Sequence, residues 1–275
     1  MAWVLALDRG NDSLKVALFD SGRIIGRWRE GTAHPLDTLR RIATESVLAA
    51  TEVSRAALGA RDRGMLMRVL SNSAVFHSVV FCSVDPKWTD EIKNVFETLG
   101  VSRIVEVSSA LRLPFRVLVE RPRSVGPDRL AAVAGVAAAG YREGIVIDAG
   151  TAITVDVLSE RGFLGGAIFP GTGLLRRTLW EGTAALPLVS DRRGRLVEPP
   201  GRTTVSAIIA GTHWGVIGAV KELIARSRRR VSSAARIWVT GGGGAAIAPH
   251  LGARARYEKD LVSLGLHHLF DLNVP

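Results

Sequence analysis

Two stretches of the chain repeat one alternation of apolar and polar positions. Gly144–Gly166, GIVIDAGTAITVDVLSERGFLGG, opens on the apolar run Ile145–Ile147 and ends it at Asp148. It turns through Ala149-Gly150-Thr151, resumes with the β-branched run Ile153–Val157, and reaches a polar turn closing on Gly162. That order predicts strand, tight turn, strand. Leu5–Gly26, LALDRGNDSLKVALFDSGRIIG, repeats it. Asp8 and Gly10 match Asp148 and Gly150, and Gly22 stands as far beyond Asp8 as Gly162 stands beyond Asp148. Either copy alone reads equally as an ordinary hairpin. The repetition predicts two similar halves facing each other across a cleft, able to hold a nucleotide phosphate chain from both sides.

The remaining pattern fills in an α/β order. Trp3–Leu7, Leu14–Phe19 and Arg23–Trp28 read as successive strands. His34-Pro35 breaks the sheet, Leu36–Ala57 has helical apolar spacing, and Arg61–Ser73 reads as a connection or weak strand. Phe76–Val84 predicts a buried strand interrupted by Asp85-Pro86, Asp90–Leu99 a helix ended by Gly100, and Ile104–Val107 another strand. Strand, helix, strand argues for helices packed on a sheet. Leu113–Arg123 reads as an irregular segment lining the cleft. An alanine-rich helix follows from Leu130 to Ala139, with Pro127 suited to its first turn. Beyond the second hairpin, a glycine- and proline-punctuated strand and turn lead to a helix near Leu174–Trp180. Val189–Arg202 predicts an exposed loop. Thr203–Ser227 is a long helix whose Gly211, Gly215 and Gly218 permit close packing, including across a subunit interface. Ile237–Thr240 is the last predicted strand, and Leu261–Phe270 the last helix.

Composition narrows the function classes. The 275 residues are 47% hydrophobic and 23% charged, which suits one large domain or two lobes. The apolar stretches Leu130–Ala139 and Ile208–Val220 are too short or interrupted to span a bilayer. No basic, apolar, cleavable leader opens the sequence, so the expected location is cytoplasmic. The single cysteine, Cys82, lies in an apolar strand pattern and suits a reducing compartment as a structural thiol. A net charge of +10, from 36 Lys+Arg against 26 Asp+Glu, favours anionic ligands. The arginines are dispersed without interleaved aromatics, so neither nucleic acid nor membrane is an expected partner.

Candidate chemistry concentrates at the turns. Gly150 lets a ligand approach the main chain, Asp148 can face a hydrated cation, and Thr151 offers a hydroxyl and an amide to phosphate oxygens. Lys15 reads as either a solvated strand lysine or a phosphate contact. In Gly126-Pro127-Asp128-Arg129, Asp128 is a helix N-terminal carboxylate in isolation. Between two phosphate hairpins it becomes a candidate catalytic carboxylate, with Arg129 a surface ion pair or a clamp for a substrate carboxylate. Phosphoryl transfer needs alignment and charge neutralisation more than covalent help, and this set would supply both.

These residues together resemble the type III pantothenate kinases of bacteria, in the acetate and sugar kinase, heat-shock-70 and actin superfamily. Asp8-Arg9-Gly10-Asn11 with Lys15 is similar to the family's first phosphate motif, FCSVDP to its strand before the middle helix, and GPDR to its G-x-D-R. IDAGTAITVD through GGAIFPG is similar to its most distinctive block, Gly201-Arg202-Thr203-Thr204 to its substrate-side helix start, and Thr240-Gly241-Gly242 to its adenosine loop. The resemblance implies an α/β fold of two ribonuclease-H-like lobes, the duplicated actin-like ATPase fold, with a central nucleotide cleft. The halves would be residues 1–125 and 126–275. It implies ATP-dependent phosphorylation of pantothenate to 4′-phosphopantothenate, the first step of coenzyme A synthesis.

By the same resemblance, Asp128 is the general base. Asp8, Arg9, Gly10, Asn11, Asp12, Ser13, Leu14, Lys15, Gly150, Thr151, Gly241 and Gly242 hold ATP. Val119, Gly126, Pro127, Asp128, Arg129 and Thr204 contact pantothenate. Asp148 binds a monovalent cation (K⁺ or NH₄⁺), Asp8 serves Mg²⁺, directly or through water, and the chain forms a homodimer. Two positions depart from the pattern. Asp12 stands where the family usually has Thr or Ser, and Val119 where it often has an aromatic residue. An added carboxylate beside triphosphate is repulsive unless it meets a metal or points away. These departures keep two other readings open: a non-catalytic relative that binds nucleotide or metabolite and acts through a partner, and a kinase for another small hydroxyl substrate.

Overall fold

The computed structural model describes residues 3–31, 78–190 and 196–274. The expectations at His34-Pro35, Leu36–Ala57 and Arg61–Ser73 lie outside them. The described chain forms two five-stranded mixed sheets of one topology. The first comprises β1 (Trp3–Arg9), β2 (Ser13–Asp20), β3 (Arg23–Gly31), β4 (Ser78–Ser83) and β5 (Arg103–Glu106), in the order β3-β2-β1-β4-β5. The second comprises β6 (Gly144–Ala149), β7 (Ala152–Ser159), β8 (Gly162–Pro170), β9 (Arg236–Thr240) and β10 (Ala255–Tyr257), in the order β10-β9-β6-β7-β8. In each, an antiparallel meander supplies three strands and parallel pairing adds the other two. The two sequence repeats are thus the first hairpins of equivalent sheets.

By contacts the chain separates into two compact units. One takes the described residues up to Pro114 together with Arg121–Ala138 and those from Val262 onward; the other takes Phe115–Glu120 and Ala139–Leu261. This differs from a division at 125/126. Helices α2 (Pro127–Ala138) and α6 (Leu261–Asn273) explain the difference, because α2 packs on β4 and α6 touches both α2 and β2. A Cβ on Gly265 of α6 would lie 1.8 Å from the Ala131 carbonyl oxygen of α2. His267 of α6 stacks on Phe19 of β2, ring centroids 4.4 Å apart.

Within the first unit, α1 (Pro86–Thr98) covers one sheet face. Its buried Trp88, Ile92, Val95 and Phe96 fall on a single helical stripe and meet Leu5, Leu7, Val16, Val79 and Phe81. The helix begins earlier than Asp90 because Asp85-Pro86 starts it. Asp85 caps, accepting from the Lys87 amide at 3.1 Å, and Pro86 occupies the first turn. The β2–β3 turn carries positive φ at both Ser21 and Gly22, the geometry whose twist matches a two-residue hairpin.

In the second unit, α4 (Thr204–Ser227) lies on the sheet through Val216, Val220 and Ile224, which meet Ile145, Ile147, Val155, Ile237 and Val239. Thr203 caps α4 in a reciprocal capping box with Ser206. The helical stretch Thr204–Arg230 is long and apolar enough to cross a membrane, with a mean hydropathy of 1.2, so the expectation that Ile208–Val220 is too short is corrected. Eight residues of α4 are nonetheless buried, as in a core helix. Val189–Arg202 is not wholly exposed either. Val189 is buried and Val197 partly so, both against Ile208 and Ile209 of α4. Helix α3 (Thr172–Glu181) follows β8, the short α5 (Gly244–Ile247) follows β9, and β10 adds an edge strand the sequence pattern did not reveal. Residues 113–123 are partly ordered on the second sheet, where Val117 bridges Phe163 of β8.

Candidate active site

The end of β1 and the turn after it carry the candidate residues of the first unit. Antiparallel register sets Asp8 opposite Lys15, and parallel register sets it beside Cys82. Asp8 Oδ2 accepts from Lys15 Nζ at 2.8 Å, and the Cys82 thiol reaches Asp8 Oδ1 at 3.6 Å. The carboxylate is nearly enclosed while the ammonium remains partly exposed. Gly10-Asn11-Asp12-Ser13 closes through Gly10 N–H donating to Ser13 O at 3.0 Å, and Leu14 is fully buried behind it. Asn11 and Asp12 are exposed. Arg9 is buried, its guanidinium 4.7 Å over the Trp88 ring.

Asp128 belongs to this same unit. Lacking a Cβ, Gly126 makes room for it, since a Cβ there would lie 2.5 Å from Asp128 Oδ1. That oxygen accepts from the Arg129 amide at 2.9 Å, and the Gly126 carbonyl accepts from the Arg129 and Leu130 amides, fixing the turn into α2 around Pro127. Burial first, then the negative charges of Asp8 and Asp128, push the Cys82 thiol well above its ordinary pKa, and Lys15 opposes them. Asp8, Lys15 and Asp128 therefore share one electrostatic neighbourhood. Cys82 is held as a neutral, buried thiol, in keeping with a structural role.

The second unit builds its own group of candidate residues mainly from backbone. Asp148 lies at the end of β6, and Gly150 N–H donates to Ala152 O at 3.1 Å to close the turn carrying Thr151. Gly171 donates to Thr151 O at 2.9 Å, and Gly243 to Ala149 O at 2.9 Å. Gly241 has φ of +85°, and a Cβ there would sit 2.3 Å from Asp148 Oδ1. Three glycine turns thus converge on Ala149-Gly150-Thr151, and bring Asp148, Gly150, Thr151, Gly241 and Gly242 together. A cavity of about 500 Å³ opens beside them, lined by Gly150, Gly242, Gly243, Ile247, Val216, Arg176, His213 and His250 among others.

Arg176, His213 and His250 are candidate contacts that sequence reasoning missed. Arg176 is the one buried residue of α3, and its Nε donates to Thr212 Oγ1 at 3.0 Å. His213 and His250 pack edge-on with Trp214. No local motif marks them, because they come from α3, α4 and the turn after α5. Val119 lies in this unit, its Cγ1 3.2 Å from where a Gly165 Cβ would be. Thr204 is exposed at the first position of α4.

Duplicated sheets of this topology, each with an Asp-x-Gly hairpin turn, define an α/β protein of the actin-like ATPase and sugar-kinase class. Solved structures agree on the fold. A Campylobacter jejuni protein described as a conserved Baf family transcriptional activator superposes with a TM-score of 0.56 at 19% identity, over 97% of both chains. A Sinorhizobium meliloti protein described as a 2-dehydro-3-deoxygalactonokinase gives 0.50 at 14% identity, also over 97% of both. A sequence model of type III pantothenate kinase matches residues 4–226, and the chain belongs to that family. The type III pantothenate kinase of Moorella thermoacetica is 30% identical over 98% of this chain and 99% of its own length. Those of Dehalococcoides mccartyi and Chlorobium luteolum are 29% and 32% identical over 98% and 81% of this chain, covering 96% and 85% of their own lengths.

Proposed function

We propose that this protein transfers the γ-phosphoryl group of ATP to the primary hydroxyl of pantothenate, giving 4′-phosphopantothenate, the first step of coenzyme A synthesis. The observation that carries the proposal is Asp128 at the start of a helix packed against β4, the strand that pairs with that of Asp8, in a chain of this family. Asp128 is the general base that accepts the hydroxyl proton. Its carboxylate is oriented by the Arg129 amide and given room by Gly126. A base of ordinary acidity suffices where the alcohol gives up its proton late, in a loose transition state.

In the first unit Lys15 offers positive charge to phosphate oxygens, and in the second the Gly150 turn presents the Thr151 hydroxyl to a phosphate. Gly241 and Gly242, with the cavity lined by Arg176, His213 and His250, take the nucleoside end. Gly126, Pro127 and Arg129 face pantothenate, Arg129 as a clamp for its carboxylate. The donor sets fit the two cations. Asp8 has one oxygen on Lys15 and the other toward Cys82, which suits a hydrated Mg²⁺ held through water and completed by phosphates. Asp148, a single carboxylate against Gly241, suits K⁺ or NH₄⁺ among carbonyl oxygens. Bound there, the cations would neutralise phosphate charge.

A homodimer is supported by α4, where Gly211, Gly215 and Gly218 face open space, and by exposed Ile168 and Trp180 in the same unit. Sedimentation equilibrium at micromolar protein is expected to give twice the chain mass; a monomer would remove that part of the proposal. A cytoplasmic location is proposed with it, consistent with the single buried thiol. The deciding experiment is mass spectrometry after incubation with ATP, Mg²⁺, K⁺ and pantothenate. Wild type is expected to yield 4′-phosphopantothenate. Asp128→Asn is expected to remain folded and lose about 10²–10⁴-fold in turnover, the usual contribution of a positioned base. Near-normal turnover by that variant would exclude Asp128 as the base.

A further inference from the structure

Three aromatic rings cluster at the cavity of the second unit. His213 on α4 and His250 in the turn Ala248–Leu251 line it, and Trp214 packs against both. Ring centroids lie 5.1 Å apart for Trp214 and His250, 5.3 Å for Trp214 and His213, and 6.1 Å for the two histidines, each pair edge-on. Edge-to-face contact at such separations is attractive and directional, so each ring restrains the others. Trp214 is itself anchored, its Nε1 donating to the Val197 carbonyl at 3.1 Å. Ile247, buried beside Val216 in the core of this unit, pins the segment that carries His250. The imidazoles therefore meet a ligand with little rotamer freedom left to lose.

The rest of the lining decides what such rings receive. Ile153, Val216 and Ile247 give apolar wall, and the Gly242-Gly243 backbone admits close approach. Among the described lining residues there is no carboxylate and no side-chain amide. No lining side chain repels a phosphate chain, and no Asn or Gln pairs with an adenine edge. Arg176, the lining side chain suited to a guanine edge, is tied at Nε to Thr212 Oγ1 at 3.0 Å. The chemistry left is recognition of a flat heteroaromatic by its face, which tolerates changes at its edge.

We propose that His213 and His250, braced by Trp214, are the stacking shelf for the nucleobase of the phosphoryl donor, and that the shelf takes a purine by its ring face without distinguishing adenine from guanine. The proposal rests on reading this cavity as the nucleoside end, and adds the side chains that hold the base and the class of donor they accept. A pyrimidine, with one ring, covers less of the shelf and is held more weakly.

The test compares wild type with His250→Ala, His250→Leu and His250→Phe as full chains, using ATP, GTP and CTP as donors. Wild type is expected to show kcat/KM for GTP within about threefold of ATP, and for CTP about tenfold lower. His250→Ala is expected to raise KM for ATP and GTP alike by about tenfold with kcat within about threefold, and His250→Phe to restore both. Inhibition by inorganic tripolyphosphate, which has no base, is expected to be the same in wild type and His250→Ala. Unchanged KM in His250→Ala, a tenfold gap between ATP and GTP in wild type, CTP used as well as ATP, or an equal loss of tripolyphosphate inhibition would each overturn the shelf. If His250→Ala does not fold, His250→Leu, which keeps apolar volume without a π face, decides by the same criteria. Calorimetry with non-hydrolysable ATP and GTP analogues separates the shelf from the proposed reaction. A tenfold affinity loss in His250→Ala supports the shelf even in a chain that phosphorylates no pantothenate, and equal affinity overturns it.

Discussion

At the scale of single residues, the candidate residues of the second unit are held by what is missing among them. Gly241 carries no Cβ because Asp148 Oδ1 and the Ala149 backbone occupy that space, and its φ of +85° is strained for other residues. Gly241→Ala is therefore expected to move Asp148 and weaken ATP binding by about tenfold or more, with a stability loss of about 1–3 kcal/mol from strain and overpacking. Calorimetric titration with a non-hydrolysable ATP analogue, alongside a denaturant melt, would check both; unchanged affinity would show that the loop does not shape the site. Much at this scale was legible in the sequence. Asp8, Asp148 and their glycines stood out because the motif is local and occurs twice. The Lys15–Asp8 pair was not read, since the lysine suited either solvent or phosphate until the strand register set it opposite Asp8. Arg176, His213 and His250 were not legible, since three separate elements bring them to one cavity and nothing local distinguishes them.

Among the elements, strands were read more surely than helix starts. The apolar runs located β1, β2, β4, β6 and β7 to within a few residues, because burial on both faces leaves a continuous signal. Helix α1 was read to begin at Asp90 because Asp85-Pro86 looked like an interruption, whereas a capping aspartate followed by proline is how it starts. The edge strand β10 spans only Ala255–Tyr257, too short for an alternation to register. Contact between α2 and α6 has its own test. Gly265 meets the Ala131 carbonyl and the Gly135 amide, so the two helix backbones approach closely there. Gly265→Ala would force them apart and is expected to cost about 1–3 kcal/mol or more, despite alanine's better helix propensity. A denaturant midpoint at or above that of wild type would contradict the close approach.

On the scale of the whole molecule, stability should vary with pH in a direction that α6 sets. Burial, opposed by Asp271 and reinforced by His268, lowers the pKa of His267 below its ordinary 6.5. The folded state therefore disfavours the proton that the unfolded chain takes up. This contribution is fully present above about pH 6.5 and is lost as pH falls through the lower folded value. Replacing His267 with glutamine is expected to flatten the decline in melting temperature between pH 7 and 5; an unchanged slope would assign the decline to other groups. The family and two-sheet class were legible because the motifs fall in order along nearly the whole chain. The membership of each compact unit was not. That α2 and α6 join the first sheet depends on small residues meeting across helices far apart in sequence, which leaves no periodic trace.

That arrangement has a consequence for synthesis. The first unit needs the segment from Val262 onward, yet Ala139–Leu261 belongs to the other unit and leaves the ribosome before it. At about 5–20 residues per second, the first sheet waits on the order of 6–25 s for the helix that covers Phe19. During that interval an intact second unit can fold beside an unfinished first one. The nascent chain is therefore most exposed to aggregation and to chaperones after most of its length has already been made.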